Sequence, residues 1–171
     1  PAALIARKLA PALAAGCSVI VRPSNQTPGT AMVMVDCCRA GNLPEGVVNL
    51  VVGPTSATYA PIMASALVRK VSLTGSTRVG QQMIRDAADT MKKVTMELGG
   101  NAPLIVYDDA DLETALSVSV PTKFANAGQV CVTADRIFVH DSLHDAFVAG
   151  FAARAKALKL GDGLDPSVQM G

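Results

Sequence analysis

The sequence predicts an α/β fold built on a doubly wound parallel sheet, and two observations carry that prediction. Apolar runs of strand length alternate along the chain with longer segments whose apolar residues recur at helical spacing. The runs are closed by glycine or proline, and the loops between them are short, as in compact domains.

Residues 1–15 read as a helix with Leu4, Ile5, Leu9 and Leu13 on one face and Gly16 beyond its end, and Pro11 is expected to kink or divide it. Residues 17–21 form a buried strand. A helix over about 30–39 stops before Gly41, a strand covers 47–52, a helix over 55–67 breaks near Pro61, and a strand covers 71–73. A helix over 76–88, strands over 93–97 and 104–107, and a helix over 111–125 capped by Asp111 complete the first region. This alternation argues for parallel strands covered by helices. After Cys131, Val132, Ile137 and Val139 outline a strand, and 142–160 an amphipathic helix with Leu143, Phe147, Phe151, Ala155 and Leu158 inward. That hairpin-like tail is expected to open a second domain, which gives domains over 1–122 and 123–171.

Half of the 171 residues are apolar, enough for a real core. Fifteen Lys plus Arg nearly cancel fourteen Asp plus Glu, and four Phe with two Tyr offer little to stack on bases, so no nucleic-acid partner is expected. A small ligand fits better. No apolar run approaches the roughly 20 residues of a membrane-spanning helix. The four cysteines include the adjacent Cys37 and Cys38 and make no disulfide framework, and no spacing of Cys or His suggests a metal. The chain opens on Pro1 and stops at Gly171, as expected of a segment of a longer protein, so cytoplasmic localisation is only the default.

Open α/β sheets bind ligands beyond the carboxyl ends of their strands, which directs attention to three loops. Arg22-Pro23-Ser24-Asn25 offers a guanidinium, a hydroxyl and an amide, or simply a turn with a solvated charge. Leu73-Thr74-Gly75-Ser76-Thr77 runs from strand through glycine and hydroxyls into a helix, where a phosphate or only an N-cap would be served. Glu97-Leu98-Gly99-Gly100 ends a strand with a carboxylate and two glycines, which permit close approach. Partly buried, Glu97 would gain basicity and accept a proton from water; exposed, it is a solvated charge.

Free cysteine mostly behaves as a small hydrophobe, and only its thiolate is reactive. Cys17, Cys37 and Cys38 lie inside apolar patterns, whereas Cys131 follows the polar, glycine-containing Asn126-Ala127-Gly128-Gln129, which makes it the best nucleophile candidate of the four. His140 and His144 give no inferable Cys-His dyad.

Together these segments resemble the NAD(P)-dependent aldehyde dehydrogenase superfamily, especially its succinate-semialdehyde dehydrogenase branch. The likeness spans the chain and is carried most specifically by Glu97-Leu98-Gly99-Gly100 followed by Gly128-Gln129-Val130-Cys131. It implies a Rossmann-like cofactor domain and the start of a second α/β catalytic domain. It further implies that Cys131 attacks the aldehyde carbon, that hydride passes to the nicotinamide, and that Glu97 activates the water that hydrolyses the resulting thioester. Arg22, Pro23, Ser24, Asn25, Thr74, Gly75, Ser76 and Leu98 would contact the NAD or NADP. A homodimer or homotetramer is implied for the full-length protein.

Departures from the family pattern sharpen these expectations. Asn25 stands where NAD-using relatives often place Glu, so a 2′-phosphate is not repelled and NADP is expected to be accepted. Arg7 matches one of two arginines that hold the substrate carboxylate, but Ala125 occupies the second position. Thr133 replaces a second cysteine, so no redox-switch disulfide is expected. A family asparagine of the oxyanion hole falls just before Pro1. Two rivals remain, a coenzyme A-acylating dehydrogenase and an inactive cofactor-binding relative; the presence of Glu97 argues against the first, and Glu97 with Cys131 against the second.

Overall fold

The computed structural model describes residues 1–171. The chain forms two compact units, Pro1–Leu98 and Gly99–Gly171. No helix is long and apolar enough to cross a membrane.

In the first unit, α1 (Ala2–Ala14) leads into β1 (Val19–Val21), α2 (Pro28–Ala40) and β2 (Val48–Leu50). Then come α3 (Thr55–Ala64), β3 (Lys70–Gly75), α4 (Thr77–Ala88) and β4 (Lys93–Leu98). The second unit holds β5 (Ala102–Val106), α5 (Leu112–Phe124), β6 (Ala134–Val139) and α6 (Asp141–Lys156). Parallel strands require a crossover, and each pair here has a helix as its crossover: β1–β2 around α2, β3–β4 around α4, and β5–β6 around α5. The mixed α/β class with parallel strands is as expected, realised as separate two-stranded ladders. The tail is a strand followed by a helix as expected, β6 and α6, and β6 runs parallel to β5.

Each ladder has its own apolar filling. Leu9, Val21 and Ala31 bury α1 and α2 against β1; Met63, Val71 and Ala87 join α3, β3 and α4; Val106, Leu116 and Phe147 join β5, α5 and α6. The α6 stripe reads as its spacing predicts, with Phe147 stacked on Phe151 at 5.8 Å. Helix α1 runs undivided through Pro11. Pro11 stands in the last turn, where its missing N–H forgoes one bond near the fraying end. Asp111 caps α5 as predicted, its Oδ1 accepting from the Thr114 N–H at 2.7 Å; the Thr114 side chain first, and then this backbone bond, hold its carboxyl below the usual range.

Two polar features escaped sequence reasoning. Lys92 is buried, and its Nζ donates to the carbonyls of Ser65 at 2.5 Å and Val68 at 2.8 Å, which ties the end of α4 to the loop before β3. Tyr59 donates to Asp86 Oδ2 at 2.6 Å across α3 and α4; burial first, and that bond to a carboxylate, push its hydroxyl up to about 12.

Candidate active site

The parallel pairing of the first unit delivers the expected loops at strand carboxyl ends. The Val51 N–H donates to the Val21 carbonyl at 3.0 Å, so β1 and β2 stay in step to the point where Arg22 leaves. Arg22 Nη2 donates to Asn25 Oδ1 at 3.1 Å, to the Gly53 carbonyl at 3.3 Å and to Thr55 Oγ1 at 2.5 Å. The loop after β1 is thereby pinned to the loop after β2. Arg22 Nε is buried and has no partner. Pro23 is buried, while Ser24 and Asn25 are exposed, and Ser24 Oγ accepts from the Gln26 N–H at 3.3 Å. The turn expected here and a cation held above it are the same object.

At the other ladder, register places Thr74 opposite Glu97 and Gly75 opposite Leu98. Two of the three predicted loops therefore share one strand edge. Lys8, on α1, donates from Nζ to Thr74 Oγ1 at 2.5 Å. Ser76 caps α4, with its Oγ accepting from the Val79 N–H at 3.4 Å. Gly80 in the first turns of α4 is buried against Leu98; a Cβ there would stand 2.8 Å from Leu98 Cδ2, so the missing side chain is what lets Leu98 sit as it does. Glu97 is exposed rather than partly buried as a gain in basicity would require. Arg7 is exposed on α1, one residue before Lys8.

In the second unit the nucleophile candidate follows an unusual turn. Asn126, Ala127 and Gly128 have φ of 52°, 57° and 77°, three left-handed residues in succession. Asparagine and glycine tolerate this conformation; alanine does so only at a cost. Asn126 Nδ2 donates to the Gln129 carbonyl at 3.0 Å and closes the turn. Cys131 emerges exposed, and its carbonyl lies against Gly100, where a Cβ would be 3.7 Å away. Thr133, at 5% exposure, donates from Oγ1 to the carbonyls of Thr122 at 3.1 Å and Lys123 at 3.3 Å, fastening the turn to the end of α5.

Exposure does not separate the cysteines as expected. All four are free, and Cys17 and Cys37 are exposed while Cys38 is half-buried. Cys17 lies in the loop before β1. Cys37 falls off the inward stripe of Ala31, Val35 and Cys38 on α2. What distinguishes Cys131 is its loop. Among the partners that sequence reasoning missed, Thr55 and Gly53 stand 33 and 31 positions from Arg22, and Lys8 stands 66 from Thr74, separations over which no local signal exists.

The profile of the aldehyde dehydrogenase family matches residues 1–171. Over its whole length the chain is 48% identical to a 3-sulfolactaldehyde dehydrogenase of Pseudomonas putida, covering 35% of that protein. It is 45% identical to the NADP(+) succinate-semialdehyde dehydrogenase of Escherichia coli, covering 36% of it. A crystal structure described as an NADP dependent enzyme of Escherichia coli superposes with a TM-score of 0.97 at 45% identity, over 100% of this chain and 36% of that one. The chain thus spans about a third of the length of these relatives. On the profile match and these identities, the chain belongs to the aldehyde dehydrogenase family.

Proposed function

We propose that the chain forms part of an enzyme that oxidises an aldehyde to a free carboxylic acid with NAD(P), and that the aldehyde carries an anionic group, as succinate semialdehyde does. The observation that carries this reading is the seating of the Cys131 carbonyl against Gly100, the last residue of the Glu-Leu-Gly-Gly run. In this reading the carboxylate of that run and the thiol of the left-handed turn serve one reaction. Residues 1–122 would make up the dinucleotide-binding domain and 123–171 the start of the catalytic domain.

Cys131, as thiolate, attacks the carbonyl carbon; a C–S bond forms and the carbonyl π electrons move to oxygen, giving a thiohemiacetal. The dinucleotide, when bound, supplies the hydride acceptor. The acyl group remains on Cys131 as a thioester, so that one difficult oxidation becomes two easier steps. Glu97 takes a proton from water, the hydroxide adds to the thioester, and breakage of the C–S bond releases the acid and frees the thiol.

Arg22, Pro23, Ser24, Asn25, Thr74, Gly75, Ser76 and Leu98 would hold the cofactor. The residues suit an anionic dinucleotide: Arg22 has a buried N–H without a partner, its hydrogen-bond acceptors Asn25, Gly53 and Thr55 are all neutral, and Ser76 heads α4. The neutral Asn25 beside Arg22 supports acceptance of NADP, in line with the cofactor named for the Escherichia coli relative. Exposed Arg7 supports an anionic substrate, and the relatives named for 3-sulfolactaldehyde and succinate semialdehyde act on aldehydes of that kind.

The test is a panel of anionic and uncharged aldehydes offered to the full-length protein with each cofactor. Aldehyde-dependent formation of reduced cofactor is expected without coenzyme A, fastest for the anionic aldehydes and at least as fast with NADP as with NAD. No reduced cofactor with any aldehyde, or a requirement for coenzyme A, would overturn the reading.

A further inference from the structure

Arg22 carries five N–H donors, and every hydrogen bond it makes to the protein leaves from Nη2. Nε is buried and unpartnered, a state that desolvation disfavours until an acceptor arrives. The three acceptors around Nη2 are neutral, and Arg22 makes no ion pair. A cation anchored at one nitrogen by neutral groups, with donors to spare, is arranged for an oxyanion that the chain itself does not provide.

The shortest of its anchors is Thr55, at 2.5 Å. Thr55 is the first residue of α3, and the bond its hydroxyl makes is the one to Arg22 rather than one to the helix backbone. The Gly53 carbonyl belongs to the backbone, and Asn25 sits in the same loop as Arg22. Only Thr55 brings a side chain from the neighbouring strand's loop to fix the guanidinium. Without it the long, flexible arginine stem would have to be ordered when the ligand binds.

We propose that Thr55 is a positioning residue for cofactor choice: its hydroxyl holds Arg22 Nη2 so that the remaining N–H groups meet the 2′-phosphate of NADP. The proposal rests on the reading that a dinucleotide binds beside the Arg22 loop. Thr55→Val keeps the shape and branching and removes the hydroxyl, and with it the acceptor for Arg22. Calorimetric titration of the full-length protein should show the NADP dissociation constant rising about 10-fold in Thr55→Val, the size of one lost hydrogen bond to a charged group, with the NAD constant changed by less than about 2-fold. Thr55→Ala should behave alike, Thr55→Ser should restore NADP binding, and kcat at saturating NADP should hold while KM moves.

An unchanged or tighter NADP constant in both Thr55→Val and Thr55→Ala, or equal weakening of NADP and NAD, overturns the role of Thr55 and leaves the dinucleotide reading standing. A parent protein that binds neither dinucleotide overturns both.

Discussion

The loop after β1 and the turn before Cys131 are both short and polar, yet they are held in shape by opposite means. Around Arg22 the backbone is ordinary, and order comes from side chains: Nη2 gathers Asn25, Gly53 and Thr55 from two strand ends. Before Cys131 the order lies in the backbone itself, in three consecutive left-handed residues, with Thr133 fastening the far end to α5. A loop ordered by side chains can be tuned by exchanging them. A turn ordered by its backbone has less freedom, since its geometry is written into φ and ψ.

The contrast is tested most severely by removing the groups assigned to the chemistry. Cys131→Ala in the full-length protein is expected to lower aldehyde oxidation about 10⁴-fold or more, as loss of a covalent nucleophile does, while dinucleotide affinity measured by calorimetry stays within about 2-fold. Glu97→Gln should be milder, lowering steady-state turnover about 10²- to 10³-fold. It should leave a first-turnover burst of reduced cofactor, because in the proposed mechanism the base acts only in hydrolysis of the thioester. A burst that disappears in Glu97→Gln would reassign the carboxylate to the first half of the reaction.

Thr133→Val probes the fastening of the turn. The hydroxyl is buried and donates to two carbonyls at the end of α5, so the isosteric change strands both acceptors. About 1–2 kcal/mol of stability should be lost in urea denaturation. Activity should fall with it, because the same bonds set where Cys131 emerges. Full stability would mean that Thr133 only fills space.

The two regions also differ in how much of them was legible beforehand. Arg22 to Asn25 and Thr74 to Ser76 were recognisable because they follow apolar runs and carry hydroxyls and charge in one contiguous stretch. Their partners were not. Thr55, Gly53 and Lys8 reach them only through strand register and helix placement, which no local pattern encodes. The strand after Cys131 begins later than its apolar alternation predicts, for a different reason. Val132 extends an apolar alternation, but it lies in the turn at 69% exposure, and pairing begins only at Ala134. Alternation reports hydrophobicity, and here the turn closed by the Thr133 N–H on the Val130 carbonyl at 3.0 Å overrides it. Cys17 and Cys37 likewise lie in apolar surroundings in the sequence and are nonetheless exposed.

The smallest expected effect bears most directly on the backbone half of the contrast. Ala127 holds a φ of 57° between Asn126 and Gly128, and unlike its neighbours it has neither a compensating side-chain bond nor freedom from a Cβ. A left-handed alanine is unfavourable by about 1–2 kcal/mol, and glycine removes that strain at the expense of a more flexible unfolded chain. Ala127→Gly should therefore raise stability by about 0.5–1 kcal/mol in urea denaturation. If the backbone alone aims the sulfur, the relaxed turn should also let Cys131 wander, and kcat should fall severalfold although the protein is more stable. A more stable variant with unchanged kcat would show that Thr133 and the Asn126 bond to Gln129 suffice to hold the turn, and the strain at Ala127 would then have no part in catalysis.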